Sequence, residues 1–481
     1  MTAVNWHRFR FGELRLVLDV ASGALHVLDE VAWEVVNDFL ALGADEAALR
    51  WSGTFGGDQV AGAIRELTEL EQRGVLASHA DEEAMVAAHL ARRPVVKALC
   101  LHLAHACNLA CRYCFADAGR FGGQAGLMTD EVARRALDLL FDQSEGRRRL
   151  EVDFFGGEPL LNFDVLRRTV AYGRAKAAEL GKTLKFTVTT NGTLLDEEIG
   201  DYLNRENIDT VLSLDGRPQV NDAMRTDAAG RGSYEQIMPR LRRFTASRQG
   251  RWYYVRGTFT RWNLDFAEDV RHLADAGFAT ISMEPVVTSP DVPYALAEED
   301  VPRILAEYER LAELYRERRR QGRPFGFYHF NLDLGGGPCL SKRLSGCGAG
   351  YEYVAVAPDG TIYPCHQFVG RPGFTLGDVE RGITNTALAE EFRHTHVLAK
   401  DECRTCWARF LCSGGCHANN HLINGTIKES YALGCMLQRK RIEIALGLAA
   451  EEAIERQARE IGPLPARAPG GPAVSGAEKV G

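Results

Sequence analysis

The sequence lacks a long apolar run, an apolar segment at its N-terminus and an excess of positive charge. No stretch approaches the ~18 consecutive apolar residues that indicate a membrane-spanning helix. The first residues, MTAVNWHRFRFGELRL, carry no apolar core of a secretory signal. The 57 Lys and Arg residues are outnumbered by 65 Asp and Glu, and the net charge of −8 gives no support to nucleic-acid binding. We therefore expect a cytoplasmic protein that binds neither membrane nor nucleic acid.

What the sequence does have is cysteine, twelve among 481 residues. In a reducing compartment this number indicates metal or redox chemistry rather than disulfides. The segment AHACNLACRYCFAD holds Cys107, Cys111 and Cys114 at the spacing C-x3-C-x2-C. Three thiolates in one loop suit three irons of a [4Fe–4S] cluster and leave the fourth iron open, whereas structural zinc requires four closed ligands. Cys100, in the preceding predicted strand, is expected to be a buried core residue.

The chain divides into five predicted segments. Residues 1–80 combine three short β-type stretches with amphipathic helical patterns, which indicates a small winged-helix-like unit. In residues 94–290, six β/α repeats predict an α/β fold in which a parallel sheet curls into a partial (β/α)6 barrel. A bridging helix is expected within 291–338 and a cysteine-rich domain within 339–440. Residues 441–481 predict a helix followed by a Pro-, Gly- and Ala-rich tail that does not fold.

Glycine-rich and polar motifs follow the ends of successive predicted strands, where the loops of such a barrel carry the chemistry. FFGGEP combines glycines that permit close backbone approach with a glutamate that can accept a hydrogen bond from an ammonium group. TTNGT and SLDG end the next two strands, and an arginine that can bind a carboxylate through two bonds follows. The residues selected on this basis are Gly156, Gly157, Glu158, Asn191, Ser213, Asp215 and Arg225.

The cysteine loop after the first strand, with Tyr113 just before its last cysteine, resembles the radical S-adenosylmethionine (SAM) superfamily. The resemblance implies that the three cysteines bind the SAM-cleaving cluster and that SAM chelates the open iron. It also implies that the GGEP segment holds the SAM amino group, and that Ser213 and Arg225 bind the carboxylate. Reductive cleavage of SAM would then give a 5′-deoxyadenosyl radical. The implied SAM contacts are Tyr113, Gly156, Gly157, Glu158, Asn191, Ser213, Asp215 and Arg225.

The second cysteine-rich region resembles the SPASM extension of radical SAM enzymes, which holds two auxiliary [4Fe–4S] clusters. Its segments CGAGYEYVAVAPDGTIYPC and CRTCWARFLCSGGC carry the resemblance. By position, the ligands of the first auxiliary cluster are Cys347, Cys365 and Cys416. Those of the second are Cys403, Cys406, Cys412 and Cys435. Cys339 either completes the first set or leaves that iron open to a substrate thiol. The total implied is three [4Fe–4S] clusters, with a pair of structural zinc sites as the alternative to the auxiliary clusters.

Longer stretches, among them LCLHLAHACNLACRYCFAD and GYEYVAVAPDGTIYPCHQFVG, resemble the maturases of SCIFF peptides (six cysteines in forty-five residues). This resemblance implies a thioether synthase that joins a cysteine sulfur to a carbon of a nearby residue, typically threonine. The substrate would be a ribosomally made, Cys-rich precursor peptide whose leader binds the N-terminal unit as an added strand. A ferredoxin or flavodoxin would supply electrons. His366, directly after Cys365, is the candidate acceptor of the thiol proton, and a hydrogen bond to cluster sulfide is its alternative role.

Two other interpretations stay open. One is a sulfatase-maturing dehydrogenase of the same superfamily, although that branch has an acid where this sequence has His366. The other is a non-catalytic iron–sulfur scaffold that only binds peptide, which would leave Ser213 and Arg225 without a role. A DNA-binding winged helix at residues 1–80 is disfavoured because the segment is not basic.

Overall fold

The computed structural model describes residues 5–123, 125–332 and 340–461. The strands of the N-terminal and barrel regions are β1 (Trp6–Phe11), β2 (Leu14–Asp19), β3 (Leu25–Leu28), β4 (Ala98–His105), β5 (Gly126–Leu127), β6 (Arg149–Gly156), β7 (Thr183–Thr190), β8 (Asp209–Ser213), β9 (Tyr253–Phe259), β10 (Thr280–Pro285) and β11 (Gly326–Phe327). The later strands are β12 (Tyr353–Val356), β13 (Thr361–Tyr363), β14 (Gly377–Asp378) and β15 (Gly382–Ile383).

The helices alternate with the strands through most of the chain. The first eleven are α1 (Glu30–Leu42), α2 (Ala44–Phe55), α3 (Gly57–Gln72), α4 (Glu82–Ala91), α5 (Asp130–Gln143), α6 (Phe163–Glu179), α7 (Glu197–Arg205), α8 (Pro218–Met224), α9 (Tyr234–Ser247), α10 (Phe266–Asp275) and α11 (Val301–Arg320). The others are α12 (Leu340–Ser345), α13 (Thr386–His394), α14 (Asp401–Arg404), α15 (Arg409–Cys412), α16 (His417–Asn424) and α17 (Ala432–Ile461). Within the described ranges, no helix is both long and apolar enough to cross a membrane.

The N-terminal sheet has the order β1-β2-β3 and is antiparallel. Successive side chains of β2 face opposite sides of this sheet, as in any β-strand. Val17 packs among the residues of α1 and α3, while Leu16 and Leu18 pack against Ile442 and Leu446 of α17. The predicted strands and amphipathic helices of this unit are therefore present, and its sheet is sandwiched between its own helices and the long C-terminal helix.

The second sheet follows the order β11-β10-β9-β8-β7-β6-β4-β12-β13-β14-β15, and β5 pairs with β4. The strands from β4 to β11 on this path pair in parallel. Helices packed on its outer face bury one side of each strand, and β7 shows the alternation through its buried Leu184, Phe186 and Val188. The predicted α/β fold with a parallel, open sheet and a C-terminal SPASM domain is confirmed.

The cysteine-rich region extends this same sheet. β12 pairs in parallel with β4, so that Ala355 lies opposite Cys100, and β13 then returns antiparallel to β12. The C-terminal helix is predicted to begin at residue 441, but α17 begins at Ala432 and carries Cys435 in its first turn. Cys339 lies outside the described residues, as does the tail from residue 462 onward.

Candidate active site

The loop with the three cysteines begins where β4 ends and is fixed by backbone hydrogen bonds. The N–H of Ala110 donates to the carbonyl of Thr226 at 2.7 Å, and that of Arg112 donates to Met224 at 2.8 Å. These two bonds bracket Arg225, so the loop and this arginine are held as one unit. Tyr113 of the loop and Arg225, which are 112 positions apart in the sequence, are thereby brought side by side.

The three thiols of the loop are neighbours. Burial raises the pKa of the Cys107 thiol to about 12, and the nearby Cys111 and Cys114 thiols add to the rise. The Cys107 sulfur accepts from the N–H of Leu109 at 3.4 Å and from the side-chain amide of Asn191 at 3.7 Å. A thiol in this environment is protonated at neutral pH, so metal binding would release its proton. Cys100 is buried in β4, as expected of a core residue.

The glycines of GGEP are required by the backbone of the preceding strand and loop. A Cβ on Gly156, whose φ is +127°, would lie 2.3 Å from the carbonyl oxygen of Ala104. One on Gly157 would lie 2.1 Å from the carbonyl oxygen of Ala106. The backbone at Gly156 and Gly157 therefore packs closely against the residues that lead into the cysteine loop.

Glu158 connects the ends of two strands. Its carboxylate accepts from the N–H of Leu160, the hydroxyl of Thr190 and the N–H of Asn191, at 3.0, 2.9 and 2.7 Å. The side chain is fully buried, and this burial raises its pKa to about 7 against the opposing effect of those bonds. The predicted hydrogen bond from an ammonium group to this carboxylate stays a prediction, because all three donors that reach it here belong to the protein.

Asn191 also contacts the cysteine loop. Its amide nitrogen donates to the Asn108 side chain at 2.9 Å, and its amide oxygen accepts from the N–H of Thr193 at 3.0 Å. Ser213, the last residue of β8, is half-buried on the inner face of the sheet, beside Arg256 of β9. Of these two selected residues, Asn191 thus lies against the cysteine loop and Ser213 lines the interior.

Tyr113, Asp215 and Arg225 form a buried polar cluster beside the loop. The Tyr113 hydroxyl donates to Asp215 at 2.7 Å and accepts from the Arg225 guanidinium at 2.9 Å. Asp215 also accepts from the N–H of Thr258. Burial raises the pKa of Asp215 to about 6, and Arg225 and Tyr113 oppose the rise.

The Nε of Arg225 is buried and has no hydrogen-bond partner among the described residues. A buried donor without a partner is costly, and a carboxylate is the group that a guanidinium binds best. Arg225 also lies close enough to Cys111 to lower its pKa against the larger effect of burial. The residues present thus fit a cofactor that carries a carboxylate and binds next to the three thiols.

The later cysteines lie in two groups of neighbouring thiols. Burial raises the pKa of Cys365, and the nearby Cys416 and Cys347 thiols add to it. Burial likewise raises the pKa of Cys435 to about 12, with Cys412, Cys403 and Cys406 nearby. No group of three or more His, Cys, Asp or Glu in the described part of the chain is disposed to hold a single metal ion. The assignment of these thiols to two auxiliary clusters stays a prediction.

His366 lies between the first of these groups and the cysteine loop. Its ring packs on Phe155 of β6 at 4.8 Å and on Phe115, the residue after Cys114, at 5.8 Å. Its Nδ1 lies 3.3 Å from the Tyr353 hydroxyl. Burial and the charge of Arg256 lower the pKa of His366 to about 4, so the ring is neutral at neutral pH. A neutral imidazole is the form that can accept a proton.

The interior of the barrel contains charged residues that the sequence analysis did not select. Glu284 of β10 pairs with His329 at 2.9 Å and with Arg441 of α17 at 3.7 Å. Arg256 of β9 is exposed on the same face. The signal that could have identified them is the alternation of YYVRGTF and TISMEP, in which the residues between the apolar positions face inward.

A family model described as a 4Fe-4S single cluster domain matches residues 96–239, and the SPASM iron–sulfur cluster-binding domain matches residues 347–407. The cysteine-type anaerobic sulfatase-maturating enzyme of Clostridium novyi is 24% identical over 66% of this chain and 88% of its own. The mycofactocin maturase MftC of Mycobacterium ulcerans is 28% identical over 66% of this chain and 83% of its own. The chain thus combines a 4Fe-4S cluster domain with a C-terminal SPASM domain, and its relatives and structural neighbours are radical SAM/SPASM enzymes.

Solved structures of radical SAM/SPASM enzymes share the fold. The structure titled native anSMEcpe with bound AdoMet superposes with a TM-score of 0.61 at 19% identity, covering 74% of this chain and 99% of that one. Streptococcus suis SuiB bound to the precursor peptide SuiA superposes with a TM-score of 0.51 at 17% identity, covering 89% and 98%. At these identities the likeness shows the fold, and substrate specificity has to be argued from the residues of this chain.

Proposed function

We propose that this protein is a peptide maturase that installs Cys-to-Thr thioether cross-links in a ribosomally made, Cys-rich precursor peptide. The observation that carries the proposal is the position of His366. It follows Cys365 of the first auxiliary group and contacts Phe115, next to Cys114 of the SAM-cleaving loop. The first auxiliary group and the SAM-cleaving loop would both border the interior of the barrel. A peptide bound there would present its thiol to the first and a C–H bond to the second.

Three [4Fe–4S] clusters and SAM would be held by the residues already described. SAM bound at the cluster of the loop would supply the 5′-deoxyadenosyl radical for hydrogen abstraction. Arg225 would direct its unpartnered Nε to the SAM carboxylate, with Ser213 beside it. Asp215 and Tyr113 fix that guanidinium and compensate its charge in a buried setting. Neutral His366 would take the proton of the substrate thiol.

The N-terminal unit, residues 1–80, is proposed to bind the leader of the precursor. β3 is an edge strand of its sheet, and Val27 on it is 47% exposed. An exposed edge can accept an extended peptide as a further strand. SuiB, whose title names a bound precursor peptide, superposes on a larger share of this chain than anSMEcpe does. Residues 94–290 would then generate the radical, residues 339–440 would hold the auxiliary clusters, and a ferredoxin or flavodoxin would be the reductant.

The test is a reaction of the reconstituted enzyme with SAM, a reductant and the Cys-rich peptide encoded beside its gene. The expected product has lost two hydrogens, has fewer thiols open to alkylation, and fragments as a Cys–Thr cross-link. A peptide with its donor cysteine replaced by alanine is the control and should give no cross-link. An unmodified peptide in a preparation that cleaves SAM would contradict the proposal.

A sulfatase-maturing activity is the second candidate, because relatives with that name match two thirds of the chain. The same reaction distinguishes the two. A dehydrogenase of that kind would oxidise one residue without joining it to another, and the product would fragment as a linear peptide.

A further inference from the structure

Glu284 presents a carboxylate to the interior of the barrel near the end of β10. That strand buries Ile281 and Met283 against the outer helices, and the alternating residues Ser282 and Glu284 face inward. A quarter of the Glu284 side chain, 25%, is exposed. The carboxylate is therefore within reach of a group that enters the interior.

The two oxygens of this carboxylate differ in their contacts. Oε1 accepts from the Ser282 hydroxyl at 3.0 Å and lies 2.9 Å from Nε2 of His329. Oε2 lies 3.7 Å from the Arg441 guanidinium, which is too far for a hydrogen bond. None of the other residues that the structure describes donates to Oε2. One oxygen thus has its donors from the protein, and the other can accept a hydrogen bond from a substrate.

The charges around Glu284 indicate what kind of donor would bind. Burial alone would raise the pKa of Glu284, but His329, Arg256 and Arg441 together lower it well below its usual value. The carboxylate is therefore ionised, and two guanidinium groups already balance its charge. A cationic side chain would be repelled by Arg256 and Arg441, whereas a neutral hydroxyl can donate a strong hydrogen bond to the carboxylate.

Glu284 lies at the height of the polar cluster that is proposed to bind the SAM carboxylate. In the register it is opposite Thr258, so the two strands bring these residues to within about 5 Å of each other. The N–H of Thr258 donates to Asp215 of that cluster at 3.1 Å. Both oxygens of Asp215 also accept from the Tyr113 hydroxyl. At this height Glu284 is therefore the acid whose acceptor is open.

The acids of β6 lie at a lower level of the interior. Asp153 is opposite Thr187, and Thr187 is opposite Asp209, six residues before Asp215. At about 3.3 Å per residue this is roughly 20 Å below the cluster. Glu151, two residues earlier on the same strand, is lower still. These acids would not reach a group that is presented to SAM.

We propose that Glu284 is a substrate-binding residue whose carboxylate accepts the hydroxyl hydrogen of the acceptor threonine of the precursor peptide. The inference rests on the proposed function, because the thioether reaction is what brings this threonine into the interior. A hydrogen bond at this height would hold the carbons next to the hydroxyl beside SAM. Such positioning is what hydrogen abstraction from one particular C–H bond requires.

The experiment measures binding and not turnover. The probe is N-acetyl-L-threonine N-methylamide, titrated into the reconstituted holoenzyme with SAM and followed by saturation-transfer difference NMR of its methyl resonances. The valine analogue has the same shape with a methyl group in place of the hydroxyl. The wild type should bind the threonine probe about tenfold more tightly than the valine analogue, since a hydrogen bond to a charged group is lost. In Glu284→Gln the acceptor is neutral, and this preference should fall to about threefold or less.

Three controls make the result specific. Glu298→Gln makes the same change at an exposed glutamate in the segment after β10 and should keep the preference of the wild type. Glu284→Gln should bind SAM as the wild type does, and a weaker binding of SAM would overturn the inference because Glu284 would then serve the cofactor. The O-methyl ether of the threonine probe cannot donate a hydrogen bond and should bind the wild type about as weakly as the valine analogue does.

Two results on the probe would overturn the inference. One is an equal preference for threonine over valine in the wild type and in Glu284→Gln. The other is an O-methyl ether that binds the wild type as tightly as the threonine probe does. The second result needs no variant, so the inference stays testable if Glu284→Gln does not fold.

Failure of this inference and failure of the proposed function can be told apart. A wild-type enzyme that makes the thioether but binds the threonine and valine probes equally contradicts the role of Glu284 alone. A wild-type enzyme whose preference for threonine depends on Glu284, but which forms no cross-link, contradicts the thioether reaction and leaves the hydroxyl-binding site in place.

Discussion

Replacing Tyr113 with phenylalanine removes one hydroxyl that contacts both charged members of the cluster beside the cysteine loop. The hydroxyl donates to Asp215 at 2.7 Å and accepts from Arg225 at 2.9 Å. Hydrogen bonds to charged groups contribute about 1.5–3 kcal/mol each. Because the two bonds share one atom and are not additive, the free energy of unfolding should fall by about 2–4 kcal/mol.

The same change should weaken SAM binding. The guanidinium of Arg225 lies 4.0 Å from Asp215, with the Tyr113 hydroxyl bonded to both. Without that hydroxyl, Arg225 would move into a direct ion pair with Asp215, and its free Nε would no longer be held toward a ligand. We expect the dissociation constant of SAM, measured by equilibrium dialysis, to rise about tenfold, or ~1.4 kcal/mol.

Tyr294→Phe is the matched control. The Tyr294 hydroxyl donates to the backbone carbonyl of Arg112 in the same loop at 2.7 Å, but no charged group takes part. Its removal should cost about 1 kcal/mol of stability and leave SAM affinity unchanged. If Tyr113→Phe binds SAM as tightly as Tyr294→Phe does, the orientation of Arg225 by Tyr113 does not determine the affinity for SAM.

Three further predictions test other parts of the structure. Alanine at all three cysteines of the loop should abolish 5′-deoxyadenosine formation while the auxiliary iron, counted by iron analysis, stays bound; surviving SAM cleavage would refute the assignment. Val27→Asp on the edge strand β3 should weaken binding of the precursor peptide, measured by fluorescence anisotropy, whereas Leu49→Asp, which alters a residue 78% exposed on α2, should not; equal affinities would refute leader docking at β3. Burial raises the pKa of the Glu158 carboxyl from 4.5 to about 7, so the folded chain binds the carboxyl proton more tightly than the unfolded chain does. Protonated Glu158 therefore stabilises the fold fully below about pH 4.5, and this contribution to the free energy of unfolding is lost as the pH rises to about 7. Glu158→Gln should flatten that part of the pH dependence of the urea midpoint of the metal-free chain, and an unchanged slope would refute the shift.

The features that the sequence predicted well are those with a local signature. Alternating strand and helix patterns predicted the parallel sheet, whereas the assignment of the cysteines to three clusters stays a prediction. The features that it did not predict depend on contacts between distant residues. The pairing of β12 with β4 joins residues 255 positions apart, Ala98 with Tyr353. The hydrogen bonds from Thr190 and Asn191 to Glu158 likewise could not be predicted from the GGEP motif alone. In that motif, a glutamate after two glycines is expected to be available to a ligand.

The pairing of β12 with β4 has a consequence for how a peptide would lie in the interior. β13 returns antiparallel to β12 and brings Cys365 back beside Tyr353, close enough to Cys100 to affect its pKa. The loop with the first cysteines instead begins beyond His105, five residues further along β4. At about 3.3 Å per residue these two levels are roughly 16 Å apart. A substrate thiol held at the first auxiliary group and a C–H bond presented to SAM would therefore start at different heights in the interior and have to meet between them.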